Sequence, residues 1–220
     1  IDGHVRKNNN ELVEGFYAAG ECSCVSVHGA NRLGANSVLE ALLFGRHVGE
    51  SIGKDLTEGK VSFAEANPSD VETIQNRIET IRTSNGNERV PKLRNELQDS
   101  MTANAGVFRT EKSLLEQREI IKNLKERYKN IKLDDQSAIY NTDLQEAVEF
   151  GHMLDFSAFI VEGAILRKES RGAHYREEYP KRDDENFLKH TMTYMDQDGN
   201  LTTEYMDVVL GFHELAERTY

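Results

Sequence analysis

The chain has 220 residues, 38% of them hydrophobic, which is enough for a real core and for more than one packing unit. Its formal net charge of -11 at pH 7 repels phosphate backbones, so nucleic acid is excluded as a partner. The longest apolar stretch, residues 38–44, is too short to cross a bilayer.

The N-terminal part of the chain predicts a strand, a loop and a helix, in that order. Residues 15–20 are a short apolar run that predicts a strand ending at a turn. A loop rich in Ser, His, Gly and Asn follows over residues 21–35. Residues 36–52 are apolar on several faces, which is typical of a buried helix. We therefore interpret residues 1–55 as the edge of an α/β domain.

The only two cysteines, Cys22 and Cys24, lie in this loop. Side chains two residues apart in an extended segment point to opposite faces, so a mutual disulfide has poor geometry. No second Cys pair and no His at ligand spacing accompanies them. We interpret both as small, semi-buried side chains and predict no metal site.

Residues 56–87 predict a connecting segment that contains one helix. Pro68 follows Asn67 and suits the first turn of a helix, which we expect to end near Thr83.

Residues 88–170 predict a bundle of three helices. Apolar side chains recur every three or four positions in three successive stretches, and the connections between these stretches are short. Thr110 is the predicted cap of the second helix, and Thr142 with Gln145 forms the predicted capping box of the third. Amphipathic helices with short connections favour antiparallel packing.

Residues 171–220 predict a polar tail that contains a β-hairpin. The segment 170–190 is dense in charge and has no periodicity. Two short strand-like runs, 191–195 and 201–206, then flank Asp198-Gly199, which is a typical hairpin turn. The fold class predicted for the whole chain is therefore α+β.

The loop before the first helix carries the most informative chemistry. Gly29 and Gly34 let the backbone approach a flat ligand without interference from a Cβ atom. Asn36 and Ser37 are good helix caps, and a helix N-terminus favours an anion. Arg32 lies between Gly29 and Gly34, and its planar guanidinium suits a carboxylate. A glycine-rich turn with a surface arginine is the alternative interpretation of the same residues.

Two long stretches resemble one enzyme family. Residues 15–45, GFYAAGECSCVSVHGANRLGANSVLEALLFG, resemble the flavin-closing segment of succinate dehydrogenase and fumarate reductase flavoproteins. Residues 169–192, ESRGAHYREEYPKRDDENFLKHTM, resemble the C-terminal signature of the same family. The resemblance covers the chain in the right order, and the three predicted helices fit the helical domain of the family.

The resemblance implies an FAD-dependent oxidoreductase that interconverts succinate and fumarate by hydride transfer. In the family the FAD is covalently held, and the attachment residue is not in this chain. The implied partners are an iron–sulfur subunit and a membrane-anchor subunit that reacts with quinone, which places the protein peripherally on the inner (cytoplasmic) membrane. We expect this polypeptide alone to be colourless and inactive, because most of the implied active site is missing from it.

The resemblance also assigns roles to residues of the loop and the helix start. Glu21 matches the acidic residue that bonds the ribityl region of FAD. Asn36, Ser37 and Val38 match the helix start, where the backbone of Ser37 and Val38 meets the isoalloxazine ring. Arg32 matches the arginine that grips a dicarboxylate beside the ring.

Four further residues are interpreted as structural. His28 is interpreted as a residue that either supports the site residues from behind or packs beside them. Arg171, His174 and Arg176 are expected to form salt links within the subunit or between subunits.

Two other functions remain as alternatives. L-aspartate oxidase has a similar flavin-closing segment, although residues 183–191 and the hairpin favour the dehydrogenase. The other alternative is an interaction module formed by the helical bundle alone.

Overall fold

The computed structural model describes residues 1–8, 11–62, 65–137, 139–196, 198–211 and 215–216. It mixes helices with two small two-stranded sheets, which confirms the predicted α+β class. The chain forms two compact units: residues 1–62, 182–195 and 202–220 make the first, and residues 63–181 and 196–201 make the second. The division into four segments stays a prediction.

The first unit begins with an antiparallel pair of strands, β1 (His4–Arg6) and β2 (Leu12–Tyr17), in which His4 pairs with Tyr17. The strand predicted over residues 15–20 was placed too late, because β2 ends at Tyr17 and a 3₁₀ turn occupies Gly20–Cys22. Gly20 begins this turn with φ of +79°.

Helix α1 (Asn36–Thr57) follows the loop and confirms the predicted helix. The prediction that it is buried nearly all round was wrong for the described residues. Val38 is 67% exposed and Leu42 is 70% exposed, whereas Val48 is buried. The apolar pattern indicates side chains whose burial is favourable. In the described part of this chain, however, the apolar side chains at the start of α1 are not buried.

The second half of α1 is fixed to the strands by a buried carboxylate. Asp55 accepts a hydrogen bond of 2.8 Å from the Tyr17 hydroxyl, and His4 Nε2 lies 3.3 Å from the same oxygen. Lys60 Nζ lies 3.6 Å from its other oxygen. The Tyr17 hydrogen bond, followed by the neighbouring cations, holds the pKa of Asp55 below its ordinary value although burial opposes this. Asp55 therefore links β1, β2 and α1 as a charged acceptor.

The second unit contains α2 (Pro68–Arg82), α3 (Val90–Ala105), α4 (Glu111–Tyr128) and α5 (Thr142–Leu166). Helices α3, α4 and α5 pack against one another, which confirms the predicted bundle, and α2 packs on α5. The periodic apolar residues face inward, because burial of one face of each helix drives the association. The largest fully buried apolar side chains of this core are Leu93, Leu97, Leu114, Leu124, Ile131, Phe150, Leu154 and Val161.

The caps of two bundle helices were predicted with different success. Thr110 caps α4 as expected, and it exchanges hydrogen bonds with Ser113 in a capping box. The Thr142 and Gln145 capping box was wrong, because Asn141 takes the cap position of α5 and accepts from the Leu144 amide at 2.7 Å. Asn and Thr both cap well, so the sequence does not separate adjacent candidates.

A tyrosine of α4 packs onto a glycine of α5. The Tyr128 hydroxyl donates to the carbonyl of Ala147 at 2.8 Å, and its ring meets Phe150 edge-on with centroids 5.8 Å apart. A Cβ placed on Gly151 would lie 2.9 Å from the same hydroxyl oxygen. The absence of a side chain at Gly151 is therefore what admits Tyr128.

The start of α3 and the end of α4 are joined by backbone pairing. The Gly86 amide donates to the carbonyl of Ile131 at 3.0 Å, and the amides of Asn87 and Glu88 donate to the carbonyl of Asn130. Arg127 binds both Glu88 and Glu96, and these hydrogen bonds raise its pKa. We call this junction of residues 85–88 with residues 130–132 the clasp.

The charge-dense segment after α5 folds against the bundle. Arg176 is fully buried, and its Nη1 donates to the last carbonyls of α5 at Ala164 (2.8 Å) and Ile165 (3.2 Å). Arg171 forms a two-pronged pair with buried Glu169. Arg176 also lies 3.7 Å from Glu111 Oε2 through Nη2 and 3.5 Å from Glu178 Oε2 through Nε. The expected salt links of Arg171 and Arg176 are thus present within the second unit.

His174 is held between two arginines of this unit. Its Nε2 donates to the carbonyl of Arg167 at 2.9 Å, so its Nδ1 accepts from Arg109 Nη1 at 3.0 Å. Burial is the main cause that lowers the pKa of His174. The imidazole is therefore kept in its neutral form. The expected salt link of His174 was wrong, because its partners are a backbone carbonyl and an arginine.

The last described elements return to the first unit. Helix α6 (Asp184–Phe187) precedes strands β3 (Lys189–Met195) and β4 (Leu201–Asp207), which pair with each other and confirm the predicted hairpin. Among the described helices none is both long and apolar enough for a membrane span.

Candidate functional site

The start of α1 is left without a side-chain cap. Ala35 occupies the cap position with φ of +67°, a left-handed conformation that is uncommon for a residue with a side chain, and it makes no side-chain hydrogen bond. The prediction that Asn36 and Ser37 cap the helix was wrong, because both are already inside its first turn. The first turn is tightened instead by bonds from Asn36 to the carbonyl of Leu33 and from Val38 to that of Ala35.

The uncapped turn presents the positive end of the α1 dipole. Asn36, Ser37 and Val38 follow one another there, and Val38 is exposed. The Asn36 and Val38 amides make long bonds of 3.4 and 3.3 Å to carbonyls of the chain, and the dipole end favours a negatively charged or carbonyl oxygen.

Arg32 lies exposed in the loop, four residues before the helix. Its Nη1 donates to the carbonyl of Leu33 at 3.2 Å. In the part of the chain that the structure describes, this bond uses one of the five guanidinium donors, which leaves a fork suited to a carboxylate.

The remaining loop residues are open to solvent. Glu21 lies in the 3₁₀ turn and is exposed. Gly29 has φ of +61°, and a Cβ placed there would meet nothing within 4 Å. Cys22 and Cys24 are free thiols as expected, but both are exposed, so the prediction of semi-buried side chains was wrong.

His28 is bound to a buried acid of α1. Its Nε2 lies 2.5 Å from Glu40 Oε2, and Glu40 is only 6% exposed. Within the described residues, His28 Nδ1 and Glu40 Oε1 are buried and have no hydrogen-bond partner. Glu40 was not among the predicted site residues, although a single acid inside the apolar run 38–44 is the signal that marks it.

A second hydrogen bond ties the loop to β3. Ser26, with φ of +65°, bonds through Oγ to His190 Nε2 at 2.9 Å. A cavity of about 320 Å³ opens beside this bond. Its lining within the first unit includes Cys22, Cys24, Met192 and Met206.

The described residues contain no group of three or more His, Cys, Asp or Glu side chains placed to hold a metal ion. The loop and the helix start combine the exposed guanidinium of Arg32 with the N-terminal end of α1.

Comparison with sequence families gives two matches on this chain. The family described as "Fumarate reductase flavoprotein C-term" matches residues 94–220, and the family described as "FAD binding domain" matches residues 1–38. The second match includes Glu21, Arg32 and the first turn of α1.

Curated relatives are similar along nearly the whole chain. The succinate dehydrogenase flavoprotein subunit of Rickettsia conorii is 43% identical over 204 residues, which is 93% of this chain and 34% of the relative. The fumarate reductase flavoprotein subunit of Escherichia coli is 37% identical over 97% of this chain and 36% of the relative. The chain therefore spans about a third of the length of these relatives.

Solved structures share the fold. A structure of Escherichia coli quinol fumarate reductase superposes with a TM-score of 0.85 at 35% identity, covering 95% of this chain and 36% of that one. The Mycobacterium smegmatis Sdh1 complex gives a TM-score of 0.79 at 27% identity, over 90% of this chain and 34% of that one.

Proposed function

The chain belongs to the family of succinate dehydrogenase and fumarate reductase flavoprotein subunits, and from this premise we propose that it forms the C-terminal side of an active site that interconverts succinate and fumarate. The cofactor is FAD, which supplies the two-electron acceptor and donor of the reaction when it is bound. The observation that carries the proposal is the conjunction of exposed Arg32 with the uncapped start of α1.

The residues of this chain fit FAD in their chemistry. The first turn of α1 at Asn36, Ser37 and Val38 supplies a positive dipole end, which stabilises negative charge on a flavin ring. The Asn36 and Val38 amides make only long bonds of 3.4 and 3.3 Å to carbonyls of the chain. Glu21 is an exposed acceptor suited to a ribityl hydroxyl. The exposed apolar start of α1 suits a cofactor whose ring is largely hydrophobic.

Arg32 binds and orients the substrate in this proposal. Its guanidinium neutralises one carboxylate of the dicarboxylate and fixes its position, so that the reacting carbons meet the cofactor in one orientation. This is a binding and positioning role, and it serves oxidation and reduction equally.

The proposed assembly includes other subunits. Electrons pass to an iron–sulfur subunit and then, through a membrane-anchor subunit, to quinone, with this chain held at the membrane periphery. The similar solved structures are those of a quinol fumarate reductase and an Sdh1 complex, which supports assembly with partners.

Replacing Arg32 in the complete flavoprotein tests the proposal. Loss of charge-assisted hydrogen bonds of about 1.5–3 kcal/mol predicts that Arg32→Met weakens dicarboxylate binding about 10- to 150-fold while FAD content is kept. Arg46→Met is the matched control, because Arg46 is an exposed arginine of the same unit that binds Glu50 on α1. Equal dicarboxylate affinity in wild type, Arg32→Met and Arg46→Met contradicts the proposal.

Substrate profiling separates the remaining enzyme alternative. The complete protein is expected to oxidise succinate and not L-aspartate. Oxidation of aspartate in preference to succinate would assign it to L-aspartate oxidase instead.

A further inference from the structure

The loop that carries Arg32 is pinned at both ends. Gly29 to Ala35 run between His28, whose ring is bound to Glu40, and the first residue of α1. Glu40 lies in the second turn of the same helix, so the hydrogen bond folds the loop back over the helix start. Arg32 lies in the middle of this closed segment.

The His28–Glu40 pair has a defined polarity. When Glu40 is the acceptor, His28 Nε2–H is the donor across the 2.5 Å contact. Glu40 is buried, whereas its helix neighbours Leu39 and Leu42 are exposed. The acid is thus the side chain in this turn that α1 directs toward the loop.

Packing alone does not explain the pair. Burial of a carboxylate is unfavourable unless it is well bonded, and one Glu40 oxygen and one His28 ring nitrogen are buried without partners in the described part of the chain. An apolar pair of similar volume would avoid that penalty. What a directional hydrogen bond adds is a fixed position of the loop relative to the helix.

We propose that the His28–Glu40 hydrogen bond positions Arg32, so that its guanidinium is held ready for the substrate carboxylate. The inference rests on the proposed function, because it assumes that Arg32 binds a dicarboxylate. His28 is therefore a positioning residue that acts through Arg32, and Glu40 is its anchor. A segment held at both ends by one bond and one helix has few alternative conformations, so a broken bond lowers the fraction of protein with Arg32 in place.

Two substitutions of His28 separate positioning from bulk. His28→Gln keeps an N–H donor near the place of Nε2 and is expected to bind malonate, an unreactive dicarboxylate, within about twofold of wild type. His28→Asn cannot reach Glu40 and is expected to raise the dissociation constant about tenfold. Binding is measured by calorimetry on the FAD-loaded complete protein, together with FAD content and thermal midpoint.

A double-substitution cycle tests whether His28 acts through Arg32. In the Arg32→Met background, His28→Asn is expected to change malonate affinity no further, because the group it positions is gone. His47→Asn is the matched control, since His47 bonds Asp2 at 3.0 Å on the exposed side of the same unit. That control is expected to leave malonate affinity unchanged.

Each outcome supports or overturns either the positioning role of His28 or the proposed function. Unchanged affinity in His28→Asn, or a full tenfold loss on top of Arg32→Met, overturns the positioning role while the proposed function stands. Unchanged affinity in Arg32→Met alone overturns the proposed function itself. Should His28→Asn lose FAD, Glu40→Gln takes its place, because it keeps the volume and an acceptor but removes the charge. A weakening of about three- to fivefold is then expected, and no weakening overturns the proposal.

Discussion

A methyl group added at Gly151 tests the packing of α4 on α5. Gly151→Ala places a Cβ 2.9 Å from the Tyr128 hydroxyl oxygen, 3.1 Å from its Cζ and 3.3 Å from its Cε1. The contacted atoms are the far end of a side chain, so Tyr128 can turn away. It then gives up its hydrogen bond to Ala147 and its edge-on contact with Phe150.

The expected change in the free energy of unfolding is the difference of three contributions. Ala in place of Gly inside a helix stabilises by about 1 kcal/mol. The lost hydrogen bond costs about 1 kcal/mol, and the lost aromatic contact costs about 1 kcal/mol. The substitution is therefore expected to destabilise the protein by about 1 kcal/mol, against the usual sign for Gly to Ala in a helix.

The sign is expected to reverse when the tyrosine is removed. In a Tyr128→Leu background the clash is absent, and Gly151→Ala is expected to stabilise by about 1 kcal/mol. Urea unfolding followed by circular dichroism measures all four proteins, and the difference between backgrounds should be about 2 kcal/mol. The same destabilisation in both backgrounds would refute the role of Tyr128.

Two further predictions concern the second unit. Gly86→Ala places a Cβ in direct overlap with the backbone oxygen of Asn130, which cannot rotate away. We therefore expect the clasp to separate, the Gly86–Ile131 bond to be lost and the protein to be destabilised by about 2–4 kcal/mol in urea unfolding. A destabilisation below about 1 kcal/mol would contradict this. The folded pKa of His174 lies below its unfolded value of about 6.5. The contribution of the neutral imidazole to the free energy of unfolding is therefore complete above that pH and is lost as pH falls below it. The loss is no more than about 1.4 kcal/mol per pH unit. His174→Gln, which does not titrate but can still accept from Arg109, should flatten the stability between pH 6.5 and 5, and an unchanged slope would argue against the buried neutral imidazole.

The helical bundle was predictable because its information is local. Each of its helices repeats apolar residues at helical spacing, and Thr110 lies where the second repeat begins. The turn Asp198-Gly199 likewise marked its hairpin, since few residue pairs suit such a turn. In these elements one short window of sequence contains both the pattern and its boundary.

The candidate site was less predictable because its features depend on contacts between distant residues. Ala35 in a left-handed conformation has no local sequence signal, so the predicted caps Asn36 and Ser37 were one and two residues too late. Arg176 lies in a charge-dense segment that the local pattern assigns to the surface, and only its partners explain its burial. Glu40 stands out as an acid inside an apolar run, but the sequence does not show that His28 is its partner. The roles of Glu21, Arg32, Asn36, Ser37 and Val38 remain predictions.

The clasp makes the α3–α4 pair a closed ring. The two helices are joined covalently through residues 106–110 at one end and by the backbone bonds of residues 85–88 with 130–132 at the other. A cut in the covalent connection would leave two segments still registered by the opposite end and by the apolar seam between them. The pairing of α3 with α4 is thus maintained at both ends, by the covalent connection and by the clasp.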